Sequence, residues 1–166
     1  VEFYLPQGPP ESTYPVVVIS NGIGTRLDRY DYLAHHLASH GFAVVIPQHP
    51  GSDEQQQQDF LQGLSGELFE VSAFIDRPVD ITFVLDELEQ LNPAEFNGQL
   101  NLQQVGVFGN SFGGNTALAL GGATLDFAQL QQDCDPQRNL VNLSLLVQCQ
   151  ALDLPQRSYD LKDDRI

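Results

Sequence analysis

The sequence predicts an α/β fold, a three-layer arrangement in which a mostly parallel sheet is covered by helices on both sides. Three observations carry that expectation. Short apolar runs alternate with amphipathic stretches in the order strand, helix, strand, helix, strand, which implies parallel pairing through right-handed crossovers. The apolar runs are continuous, as strands buried on both faces require. The turns Asn21-Gly22-Ile23-Gly24, His49-Pro50-Gly51-Ser52 and Gly109-Asn110-Ser111-Phe112 each follow such a run, at the carboxyl ends of strands where open α/β sheets collect function.

In order, Val1 to Leu5 is strand-like, and Pro15 to Ser20 is an apolar strand that ends at Asn21-Gly22. From Asp28 to His40, apolar residues at Tyr30, Leu33, Ala34, Leu37 and Ala38 have helical spacing. Asp28 is read as its N-cap and Gly41 as its C′ residue. Phe42 to Ile46 is a second buried strand, ended by Pro47. The glutamine run Gln55 to Gln58 suits a polar loop or a helix start. A helix from Asp76 carries Pro78 in its first turn and Ile81, Val84, Leu85, Leu88 and Leu91 on one face, with Asn92-Pro93 as its stop. Val105 to Phe108 is the third strand, and a helix follows from Asn115 to Leu120, reaching Gly121-Gly122. Residues 1–125 thus form the core, and residues 126–166, including Leu140-Val141 and Leu143 to Val147, read as a helical and loop excursion.

Composition bounds the function. At 166 residues, 42% hydrophobic and 17% charged, the chain has one domain's worth of ordinary globular sequence. It contains no methionine, even at position 1, and is expected to be a fragment or processed chain that lacks the last strands of its fold. The formal charge of −15, from 22 acidic and 7 basic residues, argues against nucleic acid and anionic lipid surfaces. No apolar stretch suits an integral membrane segment, and any export signal would lie upstream of Val1. Cys134 and Cys149 either form a disulfide, worth about 3 kcal/mol for a loop of this size, or are two reduced thiols, with Cys149 buried beside Leu145, Leu146 and Val147. A bridge would imply a periplasmic or secreted protein, free thiols a cytoplasmic one.

The stretch from Val107 to Gly114 carries the chemistry. It reads G-x-S-x-G, with a β-type run before it and a helical run after. In such an elbow the serine sits on a strained turn where strand and helix pass too closely for side chains two positions away. Ser111 is therefore the candidate nucleophile for acyl transfer, against a plain helix N-cap. An oxyanion needs two N–H donors, each worth about 3 to 4 kcal/mol. Phe112, next after the serine, is one candidate, and Ile23, in the loop after an earlier strand, is the other. The alternative for Ile23 is a turn residue whose side chain covers the core. Gly22-Ile23-Gly24 lacks the third glycine of a dinucleotide site, and no P-loop lysine follows.

The base and acid are harder to find. In this arrangement they follow the serine along the chain, yet His35, His36, His40 and His49 all precede Ser111. The first three suit the polar face of a helix. His49, just past a strand end, is weighed as a base or a pocket-lining residue. Asp126, Asp133, Asp135, Asp153, Asp160, Asp163 and Asp164 follow the serine but no convincing buried strand, and are read as solvated charges or caps. The acid and histidine are expected beyond Ile166, leaving the fragment itself nearly inactive. No metal cluster or cofactor site is read from the sequence.

The runs Val18 to Gly24, Leu37 to Val44 and Phe108 to Gly114 together resemble the α/β-hydrolase superfamily. Within it the sequence is most similar to bacterial dienelactone-hydrolase-like esterases and platelet-activating-factor acetylhydrolases, over most of residues 1 to 125. Asn21 and Asn110 stand where relatives often carry histidine, and Ser111 where dienelactone hydrolases proper use cysteine. The resemblance implies Ser111 as nucleophile, with the Ile23 and Phe112 amides as oxyanion donors. The function expected is a serine hydrolase of carboxylic esters, acting on a small-molecule or lipid-like ester. The alternatives are an acyltransferase or thioesterase, and a hydrolase-like binding module without turnover.

Overall fold

A computed structural model describes residues 1–9, 12–135 and 142–166. The elements are β1 (Glu2–Tyr4), β2 (Tyr14–Ser20), α1 (Asp31–Ser39), β3 (Ala43–Ile46), α2 (Glu54–Leu61), α3 (Ala73–Glu95), β4 (Leu100–Gly109), α4 (Phe112–Leu120), α5 (Phe127–Asp133) and α6 (Leu143–Cys149). Single 3-10 turns span Leu27–Tyr30 and Gln150–Asp153. This is a mixed α/β chain, richer in helix than in strand, around a four-stranded sheet of order β1-β3-β2-β4.

β2 is central and pairs in parallel with β3 and β4, while β1 runs antiparallel on β3. Its sequence explains the place. Val16, Val18 and Ile19 have no exposed surface, so the strand needs cover on both sides. Val16, Val18 and Val45 cluster with Ile81, Leu85 and Leu88 of α3 and Leu120 of α4. Ile19, Val44 and Ile46 cluster with Ala34, Leu33 and Leu37 of α1. The β2–β4 register carries Tyr14↔Leu100 and Pro15↔Asn101, then resumes at Val16↔Val105 and runs to Ser20↔Gly109. The residues skipped include the exposed Gln103 and Gln104, which bulge toward solvent.

Several boundaries differ from the sequence reading. Asp28 caps no helix: it lies in a 3-10 turn, where its carboxylate receives the Arg26 guanidinium at 2.8 Å. Gly41 is the C′ residue, with φ +88. The glutamine run is α2, capped by Asp53, whose side chain accepts from the Gln56 N–H. α3 begins at Ala73, before Asp76, because Phe74 is buried against Phe69 and Phe112. It also runs through Pro93, which the sequence marks as the stop. Asn92 holds that end, accepting from the Leu100 N–H and donating to the Leu100 carbonyl. Leu140 and Val141 lie outside the described residues.

Asp163 is a second correction, being 6% exposed. It receives Arg165 Nη2 at 2.6 Å and the Thr82 hydroxyl at 3.1 Å, and the guanidinium holds its carboxyl below the usual range. Its N–H donates to the Leu120 carbonyl, Val105 N–H donates to Arg165 O, and Ile166 packs on the α3 cluster. The last residues thus return to the sheet. No helix among the described residues is long and apolar enough to cross a membrane.

Candidate active site

Ser111 joins β4 to α4 with φ 52 and ψ −119, a conformation that costs a non-glycine residue about 1–3 kcal/mol. Its neighbours explain how the turn forms. A Cβ on Gly109 would overlap the Gly113 carbonyl, and one on Gly113 would overlap the Ser20 carbonyl. α4 is therefore seated directly on the ends of β4 and β2. The Asn110 N–H donates to Ser20 O at 3.2 Å, tying the turn to the centre of the sheet. Ser111 is exposed and its hydroxyl caps nothing in α4. Beside it opens a cavity of about 690 Å³, walled by Leu118 of α4 and Ser144, Val147 and Gln148 of α6.

The turn after β2 comes to the same place. A Cβ on Gly22 would stand 3.3 Å from Ser111 Cβ, so the missing side chain lets the Ile23 turn reach the serine. Gly24 N–H donates to Ser52 O at 2.9 Å, linking this turn to the one after β3. The Ile23 side chain packs on a cluster of Phe69, Phe74 and Phe112. The Phe112 ring is buried, 4.8 Å from the Phe74 ring and 4.9 Å from the Phe69 ring. Among the described residues, no protein acceptor takes the Ile23 or Phe112 backbone N–H. All three sequence-predicted residues are thus gathered at one end of the sheet.

Beneath this surface lies a buried polar chain. His49, 1% exposed, contacts Ser20 Oγ through Nε2 at 3.1 Å and Asp80 Oδ2 through Nδ1 at 2.9 Å. Burial pushes the imidazole below its ordinary pKa of 6.5, against the pull of Asp80. A neutral ring donating from Nδ1 to the carboxylate and accepting the Ser20 hydroxyl satisfies every partner. This Ser–His–Asp line has the shape of a catalytic triad, but Ser20 has no exposed surface, so no substrate reaches it. His49 is neither solvated nor bonded to Ser111.

Arg77 completes the chain. Its Nη1 donates to Ser52 Oγ at 2.9 Å, and its Nη2 to Ser20 Oγ at 3.3 Å and to the Asn21 carbonyl. Its guanidinium carbon lies 5.1 Å from the Phe112 ring centroid, and burial pushes its pKa down to about 10. Arg77 and Asp80 escape the sequence reading, although a signal exists. Arg77 falls four residues before Ile81 on the stripe that continues to Leu85 and Leu88, and a charge on an apolar helix face needs buried partners.

The remaining candidates lie apart. The His35 ring packs edge-on against Tyr4, and His36 against His40, at the exposed end of α1. Asp126 caps α5 by accepting from the Gln129 N–H. Of the two states weighed for the cysteines, the structure has the disulfide Cys134–Cys149, which ties the end of α5 to the end of α6.

Parallel strands that feed a strained turn of this kind, with helices packed against the sheet, make a partial fold of the α/β-hydrolase superfamily. Within that superfamily the chain belongs to the Chlorophyllase family, whose family model matches residues 5–135. No curated protein sequence matches the chain.

Proposed function

We propose that the protein is a serine hydrolase of carboxylic esters that works through an acyl-enzyme on Ser111. The observation that carries this reading is the exposed Ser111, held at φ 52 by two glycines that tolerate no side chain and capping nothing. A strained serine with a free hydroxyl is costly unless it is used. The family name denotes an enzyme acting on chlorophyll; for this chain we take from it the reaction type, ester hydrolysis. Ser111 Oγ attacks the ester carbonyl, and the oxyanion of the tetrahedral intermediate takes hydrogen bonds from the Ile23 and Phe112 amides. The alcohol leaves, and water then releases the acid. The apolar wall of Leu118 and Val147 suits a lipid-like acyl or alcohol group.

Layering and partners follow from the same reading. Helices that pack on both faces of the β2–β3–β4 sheet support the three-layer α/β-hydrolase arrangement. His49 is not its general base in this reading, because it is committed to Ser20 and Asp80. The likeness to dienelactone-hydrolase-like esterases and platelet-activating-factor acetylhydrolases rests on the three motifs alone. The disulfide suits an oxidising compartment.

A fluorophosphonate probe tests the reading. Treatment of the full-length protein is expected to label Ser111 and nothing in Ser111→Ala. Absence of label on well-folded protein would refute the reading and favour a hydrolase-like binder.

A further inference from the structure

Arg77 is the largest side chain that is wholly buried among the described residues. Taking a guanidinium out of water costs several kcal/mol, and an apolar residue of similar volume usually serves a core as well or better. The cost therefore calls for a use. The hydrogen bonds of Arg77 all leave α3. Nη1 reaches Ser52 in the turn after β3, and Nη2 reaches Ser20 and the Asn21 carbonyl where β2 ends. The Arg77 guanidinium carbon lies over the ring of Phe112, the residue after Ser111, 5.1 Å from its centroid. Its Nε–H has no partner among the described residues, so the fork is placed by its two terminal nitrogens.

We propose that Arg77 is the positioning residue of the oxyanion site, a buried fork that holds the Asn21–Gly24 turn, the His49–Ser52 turn and the Phe112 ring in one register around Ser111. The proposal rests on the serine-hydrolase reading. Two N–H groups carried by separate elements stabilise an oxyanion only when both point at one spot, and errors well below 1 Å matter. Arg77 touches the elements on either side: Asn21 lies two residues before Ile23, and Phe112 carries the second amide. The planar fork matters as much as the charge, since lysine cannot reach two acceptors in fixed directions. His49 and Asp80 continue the chain by orienting the Ser20 hydroxyl, whose oxygen accepts from Arg77.

The test uses the full chain with Arg77→Lys and Ser52→Ala, and Leu85→Ala as a control that weakens the α3 core away from the site. In Arg77→Lys, kcat is expected to fall about 100-fold, the scale of one lost oxyanion donor, with KM little changed. Affinity for a boronic-acid mimic of the tetrahedral intermediate is expected to fall in step. Ser52→Ala reads the same quantities with a smaller loss if Arg77→Lys does not fold. Leu85→Ala is expected to lower Tm while leaving kcat intact, which a purely structural Arg77 would match. Amide exchange supplies a readout without turnover: Gly24 and Asn110, which donate to Ser52 O and Ser20 O, are expected to lose protection in Arg77→Lys. Unchanged kcat and unchanged protection in the Arg77 and Ser52 variants would overturn the proposal. Lost protection in a protein whose Ser111 takes no fluorophosphonate would keep the positioning role and remove the hydrolase reading.

Discussion

His49 Nδ1 lies 2.9 Å from Asp80 Oδ2 while the histidine ring is 1% exposed. Burial disfavours the charged ring and, with the Arg77 guanidinium, pushes its pKa below the ordinary 6.5 against the pull of the facing Asp80 carboxylate. The unfolded chain therefore binds the proton more readily. Stability from this site is complete above pH 6.5 and is lost as pH falls toward the lowered folded value. Thermal unfolding from pH 8 to 5 is expected to show a flat upper region and a falling Tm below it. His49→Gln is expected to lower Tm throughout and to flatten the slope; an equal slope in the variant would remove His49 as its source.

Ser111 should separate stability from activity. Ser111→Ala keeps the strained backbone and is expected to fold with a stability within about 0.5 kcal/mol of the parent, the usual range for a surface change, while losing all probe labelling. Ser111→Gly relaxes φ 52 and is expected to be more stable than Ser111→Ala by about 1 kcal/mol. Denaturant unfolding of both variants measures this.

Gly113→Ala should damage the fold as well as the chemistry, because the new Cβ meets backbone, the Ser20 carbonyl, and no flexible side chain. A loss of about 1–3 kcal/mol or more is expected, together with loss of Ser111 labelling. Gly114→Ala is the contrast, since a Cβ there comes no nearer than 3.6 Å to Gly109 O, and near-parent stability is expected.

Reduction of Cys134–Cys149 should act on both stability and substrate binding. The bridge closes a loop with a sequence separation of 15, for which about 3 kcal/mol is expected. α6 also walls the cavity at Ser111 through Val147 and Gln148. Cys134→Ser/Cys149→Ser is expected to raise KM for an ester with a long apolar group more than it lowers kcat, as steady-state kinetics with and without reductant would show.

Asp163→Asn removes the negative charge and one of the two oxygens that accept from Arg165, at 2.6 Å, and from Thr82, at 3.1 Å. A loss of about 2 kcal/mol is expected for a hydrogen-bonded charge of this kind. Because the carboxyl sits below its ordinary 3.8, its contribution is present above that pH and is lost on further acidification. That window is separate from the one set by His49, and acid titration of both variants distinguishes them.

The sequence alone determined the central strands and the strand-to-helix turn at Ser111, though β4 begins at Leu100, before the Val105 it marks. These signals are local: a short continuous apolar run bounded by turn residues suits a strand buried on both faces, and Gly109 answers a clash with Gly113 inside the elbow, whereas Gly113 answers the Ser20 carbonyl of β2. Gly41 ended α1 as read, and Val16 to Ile19 formed the central strand. Where local signals competed with packing, packing prevailed. α3 begins at Ala73, ahead of Asp76, because Phe74 packs on Phe69 and Phe112, and it runs on through Pro93 to Glu95. Only the tertiary structure decided the partnership of Ser20, His49, Ser52, Arg77 and Asp80. They come from three places, the end of β2, the turn after β3 and α3, and the hydrogen bonds that make them a unit exist only once these three meet. It also settled the two states weighed for the cysteines, because a disulfide depends on the distance between two chain segments, which spacing along the sequence does not fix.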